Sequence, residues 1–308
     1  MSSVASWQAV TKRYRGVTAV EGVSLALEAG EVTALVGHNG AGKTTLIKLL
    51  LGMIRPEPGG SVRIGGVDPA GRQGAQARST IGFLPESVAF HGAMTGRELL
   101  AFYAKLKGAP LARNAELLDR VGITHAADRR VSTYSKGMCQ RLGIAQALIG
   151  EPRLLVFDEP TSGLDPASRA DVYRMIDTLR ASGATILVST HALDEVEDRI
   201  DRAAIMHRGH LLAAGTLAEL RRGVAADVRL QLRVQPCTTA RLLAALPPEV
   251  RCIARSETAL TLDVAPQAKM QALRAIARAG EIVEDLELAA PGLHDLYSRL
   301  VAAAEARP

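Results

Sequence analysis

From Val32 to Leu50 the chain reads VTALVGHNGAGKTTLIKLL. The first five residues are the apolar run of a buried strand, and the last six carry leucine and isoleucine at helical spacing. Between them, Gly37-His38-Asn39-Gly40-Ala41-Gly42-Lys43-Thr44 fits G-x-x-x-x-G-K-[ST]. Glycines there let backbone N–H groups turn inward around phosphate oxygens, and the helix N-terminus adds its partial positive charge. Lys43 then neutralises the β and γ phosphates, and Thr44 offers a hydroxyl to Mg²⁺. Strand, loop and helix in this order make a phosphate-binding α/β unit, with Gly37, Asn39, Gly40, Ala41, Gly42, Lys43, Thr44 and Thr45 as the expected nucleotide contacts.

Outward from this unit, short apolar runs alternate with helical patterns up to about residue 220, as in a mainly parallel sheet. The predicted strands are Val23–Leu27, Val32–Val36, Ser61–Ile64, Thr80–Leu84, Leu154–Phe157, Thr185–Ser189, Ala203–His207 and His210–Ala214. Residues 92–150 read as a helical insertion: Thr95 and Glu98 make a capping box, and Leu99, Phe102, Tyr103 and Leu106 share a face. After Thr216 and Glu219, which cap one more helix, Arg221–Ala226 reads as a boundary. Residues 1–224 are therefore expected to form one domain and residues 225–308 a second. The second reads strand, helix, strand, strand, helix, strand and a terminal helix from Pro291, a ferredoxin-like α+β order.

Composition narrows the function classes. Of 308 residues, 37 are Lys or Arg and 32 Asp or Glu, a net +5 that allows an anionic partner. Residues 225–308 hold ten of each sign, so the excess lies in the first domain, where it suits ATP and an anionic membrane surface. Aromatic residues make up only 3%, too few for base-stacking platforms, and no nucleic-acid partner is expected. No run approaches the roughly 18 apolar residues of a membrane span, and no secretory signal is visible, which places the chain in the cytoplasm. Cys139, Cys237 and Cys252 have no paired spacing and read as reduced thiols.

A second chemical element is Leu154-Leu-Val-Phe-Asp158-Glu159, an apolar strand ending in two carboxylates. Acids at the carboxyl edge of a parallel strand stand where such sheets bind ligands. Asp158 is the expected Mg²⁺ partner, with Thr44, and Glu159 the base that polarises the attacking water.

The intervening residues carry a resemblance. Tyr134-Ser-Lys-Gly-Met-Cys-Gln-Arg141 resembles the ABC signature LSGGQ-x-QR, keeping Ser135, Gly137, Gln140 and Arg141. Ser162-Gly-Leu-Asp165 resembles the D-loop, His191 the switch histidine, and Tyr14 the ring that stacks on adenine. In the family's order over about residues 8–215, these identify the chain as a member of the ABC transporter ATPases. The resemblance implies ATP and Mg²⁺ as cofactors. It also implies a head-to-tail homodimer in which the signature of one copy faces the nucleotide of the other, and a polytopic inner-membrane permease that anchors the dimer at the inner face of the membrane. Two motifs depart from the pattern. Glu86 in Gly82-Phe-Leu-Pro-Glu86 stands where the family has Gln, near Mg²⁺ and a candidate for contacting it. In the signature, Lys136 and Met138 stand in place of Gly and Gln, and Lys136 reads either as a further phosphate contact or as a solvated helix-start residue.

FLPESVAFHGAMTGRELL, AADRRVSTYSKGM and the final LHDLYSRL resemble more finely the NosF family, ATPase subunits of the transporter that serves maturation of the copper site in nitrous oxide reductase. That resemblance implies a periplasmic accessory protein as a further partner. Copper itself is expected to be handled elsewhere, because Met206, His207 and His210 read as flanks of a turn at Arg208-Gly209. The alternative is the ATPase of an exporter of drugs, lipids or polysaccharides. ABC ATPases that act on DNA or ribosomes usually carry two ATPase halves or a long coiled coil, and neither is read here. The trailing domain is expected to stabilise the homodimer or dock a partner.

Overall fold

A computed structural model describes residues 3–224 and 227–306. The chain divides into two compact units, Met1–Thr216 and Leu217–Pro308. The first opens with a long antiparallel hairpin, β1 (Ser3–Tyr14) and β2 (Val17–Glu28), to which β4 (Ser61–Ile64) adds on the outer side of β1. Between β2 and β4 come β3 (Val32–Val36) and α1 (Lys43–Leu50).

Beyond β4 follow α2 (Gly74–Ser79), β5 (Ile81–Leu84), then the helices α3 (Gly96–Lys107), α4 (Asn114–Arg120) and α5 (Lys136–Ala147). The unit ends with β6 (Leu154–Asp158), α6 (Pro166–Ala181), β7 (Thr185–Thr190), α7 (Leu193–Val196), β8 (Arg202–His207) and β9 (His210–Gly215). The main sheet has the order β5-β6-β7-β3-β8-β9, parallel except for the last hairpin. Every residue of β3, β6 and β7 is buried, as strands covered on both faces must be. The crossovers place the carboxyl ends of β5, β6, β7 and β3 side by side.

Helix α1 lies between the two sheets and buries its four apolar residues against them. Leu46, Ile47, Leu49 and Leu50 join one cluster with Trp7, Val10 and Val20 of the hairpin and with Leu35, Val156 and Leu187 of the main sheet. Trp7 is 1% exposed, and its Nε1 donates to the Leu46 carbonyl at 3.1 Å. Trp7→Ala should therefore cost about 3–5 kcal/mol. The chain has a single tryptophan, so the check is denaturation followed by far-ultraviolet circular dichroism. A loss below about 1 kcal/mol would show that the hairpin does not hold α1.

Strand β1 lay outside the sequence expectation, and β2 extends beyond its predicted core at Val23–Leu27. The register of β1 against β2 shifts between Trp7 and Val10, where Ala9 has a φ of 46°, so the period-two alternation that would reveal a strand is broken. The expected face of α3 also needs correction. Leu99, Leu100 and Ala104 are buried, whereas Phe102 and Leu106 are 48% and 69% exposed. Two rows at helical spacing compete on this helix. The inward row wins with Lys107, whose Nζ reaches the carbonyls of Ile81 and Ile149 at 3.1 and 2.8 Å. Burial pushes the Lys107 ammonium below its ordinary pKa. The capping box is present: Glu98 N–H donates to Thr95 Oγ1 and Thr95 N–H to Glu98 Oε2.

The second unit begins with α8 (Leu217–Gly223), earlier than the expected boundary at residue 225. Arg221 Nε donates to the Pro291 carbonyl at 2.8 Å, which ties this helix to the second unit. Ala225 and Ala226 of the expected linker lie outside the described residues. Then come β10 (Val228–Val234), α9 (Thr239–Ala245), β11 (Val250–Arg255), β12 (Ala259–Val264), α10 (Lys269–Arg278), β13 (Val283–Ala289) and α11 (Leu293–Glu305). The sheet is antiparallel with the order β11-β12-β10-β13, a ferredoxin-like topology. Leu230, Leu232, Leu260 and Leu262 pack with Leu242, Ala272 and Ile276 of the two crossover helices.

Candidate functional site

A cleft of about 450 Å³ opens at the carboxyl edge of the main sheet, lined by residues 38–45 together with Ala19, Glu86, Glu159, Ser162 and His191. Each segment of the lining except Ala19 follows a strand end or stands close beyond one. The loop 37–42 leaves β3, Glu86 follows β5, Asp158 closes β6 with Glu159 directly after it, and His191 follows β7.

The loop is built to hold an anion. A Cβ on Gly37 would stand 2.6 Å from the Met206 carbonyl oxygen, and one on Gly42 2.6 Å from that of Ala19. Gly40 and Gly42 also have φ of 82° and 104°, a region open to glycine at no steric cost. At the start of α1 the first-turn N–H groups have no partner within the helix, and Gly42 offers no side-chain cap. The helix N-terminus is thus an uncapped cradle of donors facing the cleft. Lys43 is 6% exposed; its Nζ donates to the Gly37 carbonyl at 2.5 Å and stands 3.1 Å from Glu159 Oε1.

Glu159 is held under strain. It is 8% exposed with a φ of 46°, and its N–H is fixed by Ser189 Oγ at 2.9 Å. One carboxylate oxygen, Oε2, lies 2.8 Å from His191 Nδ1. The other, Oε1, is buried without an aligned hydrogen bond, although the Lys43 ammonium is at ion-pair distance. An orphaned acceptor oxygen beside a buried cation fits a water and a polyanion, which would complete both groups. Asp158 is 3% exposed, with Ser189 Oγ donating to Oδ1 at 2.5 Å and Thr44 Oγ1 to Oδ2 at 3.3 Å. Thr44 and Asp158 therefore offer adjoining oxygens to a Mg²⁺ ion, which when bound would offset charge developing on phosphate oxygens. Ser189 orients both acidic residues; sequence reasoning passed over it, though it stands two residues before His191.

The remaining predicted residues form a separate group. Ser135 caps α5 and accepts from Met138 N–H at 3.2 Å. Gly137 gives up its Cβ space to Ser168 Oγ, which donates to Asp165 Oδ2 at 2.7 Å. Hydrogen bonds from Ser168 hold the Asp165 carboxyl below the ordinary range. Ser168 thereby joins Ser135, Gly137 and Asp165 into one surface at the N-termini of α5 and α6. None of the three is in the lining of the Lys43 cleft. Gln140, 5% exposed, reaches back to the Pro160 carbonyl at 2.7 Å.

Tyr14 is also outside the lining. It is 41% exposed at the end of β1 with the Lys12 ammonium 5.8 Å from its ring centre, and Ala19 of β2 contributes to the cleft instead. His207 and His210 face each other across the β8–β9 turn, where Arg208 and Gly209 have φ of 46° and 85°, and Met206 is buried in the core. Among the described residues no group of three or more His, Cys, Asp or Glu could hold a metal ion.

Comparison with known proteins agrees with this geometry. Residues 20–162 match the family described as ABC transporter. The linearmycin resistance ATP-binding protein LnrL of Bacillus subtilis (strain 168) is 36% identical over 76% of this chain and 76% of its own length. The daunorubicin resistance ATP-binding protein DrrA2 of Streptomyces coeruleorubidus is 35% identical over 95% of this chain and 93% of its own. Among solved structures, an ATP binding subunit of an ABC transporter superposes with a TM-score of 0.66 at 31% identity, covering 72% of this chain and 93% of that one.

Proposed function

Since this chain belongs to the ABC transporter family of ATP-binding, ATP-hydrolysing subunits, we propose that two copies close head to tail around ATP and drive a membrane exporter of antibiotic-like molecules. One observation supports the dimer: Ser135, Gly137 and Asp165 form a surface of the same ATPase unit that lies outside the lining of the phosphate cradle at Lys43. Rotating a second copy by a two-fold axis sets each surface against the other copy's cradle and completes two identical sites. Within each, Lys43 and the α1 N-terminus hold the phosphates, Thr44 and Asp158 the Mg²⁺, and Glu159, steered by His191, the attacking water. Tyr14 stacks on the base after displacing Lys12 from its ring.

Export is favoured by the relatives named for linearmycin and daunorubicin resistance, the second matched along nearly the full chain. Copper-site maturation, with its periplasmic accessory protein, stands behind it as the less supported cargo. Among the described residues no helix is long and apolar enough to cross a membrane. The reading takes a membrane permease as the partner, with this chain working at its cytoplasmic side. The exposed Phe102 and Leu106 of α3 suit that contact. Phe102 meets Tyr103 edge to face at 5.4 Å between ring centres, and Tyr103 meets Phe90 on the loop beyond Glu86.

Phe102→Asp with Leu106→Asp should leave the melting midpoint nearly unchanged and abolish co-purification with the permease. Full recovery of the complex would move the contact elsewhere. The cargo is tested by adding an anthracycline or a cuprous salt to the purified complex and following phosphate release. Stimulation by the anthracycline is expected; stimulation by copper alone would reverse the assignment.

A further inference from the structure

A cavity of about 650 Å³, larger than the nucleotide cleft and sharing no residue with it, opens at the opposite edge of the main sheet. Leu155 near the start of β6 and Ala184 just before β7 line it, between α4, the loop 148–152 after α5 and the end of α6. Leu117, Leu148, Leu155 and Leu179, none more than 8% exposed, supply its apolar walls. A further cavity of about 140 Å³ shares Arg120, Leu148 and Leu179 with it and continues the apolar wall to Ile144 and Met175. One polar side chain in this lining is out of place. Asn114, at the start of α4, is 7% exposed, and among the described residues its carboxamide has no hydrogen-bond partner. A buried amide without a partner is costly, so its retention calls for a group that completes it.

The charges of the lining balance. Arg113 pairs with Glu151, and Arg120 and Glu116 add one of each sign, so neither an anion nor a cation is favoured. We propose that this cavity is a second ligand site of the ATPase unit, for an uncharged, largely apolar small molecule whose carbonyl or hydroxyl group pairs with the Asn114 carboxamide. Its volume falls within the roughly 300–1,000 Å³ of small-molecule pockets, and apolar walls with a placed polar group are how such pockets bind and orient a ligand. Burial against the four leucines supplies the affinity, and Asn114 fixes the orientation. Because no residue of the phosphate cradle takes part, the site stands or falls independently of the ATP reading.

The probe is Nile red, an uncharged flat dye with one ring carbonyl whose fluorescence rises in apolar surroundings. Titrated into the full chain, it should bind at one saturable site per chain, with the same affinity in saturating Mg-ATP. Ser182→Trp, on the exposed rim, should fill the mouth and weaken binding at least about tenfold. Asn114→Leu should weaken it about fivefold, with a melting midpoint equal to or above that of the wild type, because the amide removed has no partner in the free protein. A lowered midpoint for Asn114→Leu would give the amide a structural partner and overturn its part as a ligand contact. Displacement of the dye by Mg-ATP would place it in the nucleotide cleft, and undiminished binding to Ser182→Trp would place it elsewhere on the chain. Either result, or the lack of saturable binding, overturns the site. Displacement by anilinonaphthalene sulfonate, an anion of similar size, would overturn the uncharged class.

Discussion

Glu159→Gln is expected to slow steady-state ATP hydrolysis by about 10²–10⁴-fold while nucleotide stays bound. The amide keeps the shape of the side chain and its contact with His191, so the strained turn at residue 159 is preserved. What it loses is the charge that makes Oε1 a base. Glu159 has a second influence, because its carboxylate stands 3.1 Å from the Lys43 ammonium that must turn to phosphate. Removing the negative charge frees Lys43 from that competitor, so Mg-ATP should bind more tightly than to the wild type. Retained ATP and a shift to dimer on size exclusion, together with slow phosphate release, are the expected observations. Turnover within about threefold of wild type would remove Glu159 from the role of base.

Lys43→Ala should produce two effects that can be separated. Mg-ATP binding is lost at ordinary concentrations, since the buried cation facing the phosphates is gone. The free protein is also destabilised, by about 3–5 kcal/mol, because a carboxylate almost wholly out of water is left without its ion-pair partner. Adding Glu159→Gln should recover most of that stability and none of the ATP affinity. Denaturant titration beside nucleotide titration distinguishes them. Equal stability of Lys43→Ala and wild type would mean that His191 alone satisfies Glu159.

The parts of the site legible in sequence were those in which local chemistry and local structure coincide. Gly37–Thr44 lies between a strand and a helix that both form where the pattern puts them, and Asp158 ends the strand it was read from, with Glu159 the first residue beyond it. The pairing of Glu159 with Lys43 and His191 was not legible, because it depends on the sheet order that brings β6 between β5 and β7. Ser189 escaped notice for a related reason: a serine inside an apolar strand looks like filler until its hydroxyl is seen to join Asp158 and the Glu159 backbone. Ala19 has no chemistry to read. It enters the cleft only because β2 passes close to Gly42, and β1, which carries that hairpin, was hidden by its own register shift.

The place of β3 in the main sheet also governs how the protein must be made. Val32 pairs with Ile186, and Thr33 with Leu187 and Arg202, so both edges of this wholly buried, mostly apolar strand stay open until the ribosome has delivered most of the ATPase unit. An unpaired apolar edge is a template for aggregation, and such non-local pairing is slow. Nucleotide cannot shorten that interval, because the acids and histidine of its site arrive on β6 and β7, the same late segments. The interval between the synthesis of β3 and that of β8 is therefore the one in which a nascent chain presents this edge to its neighbours.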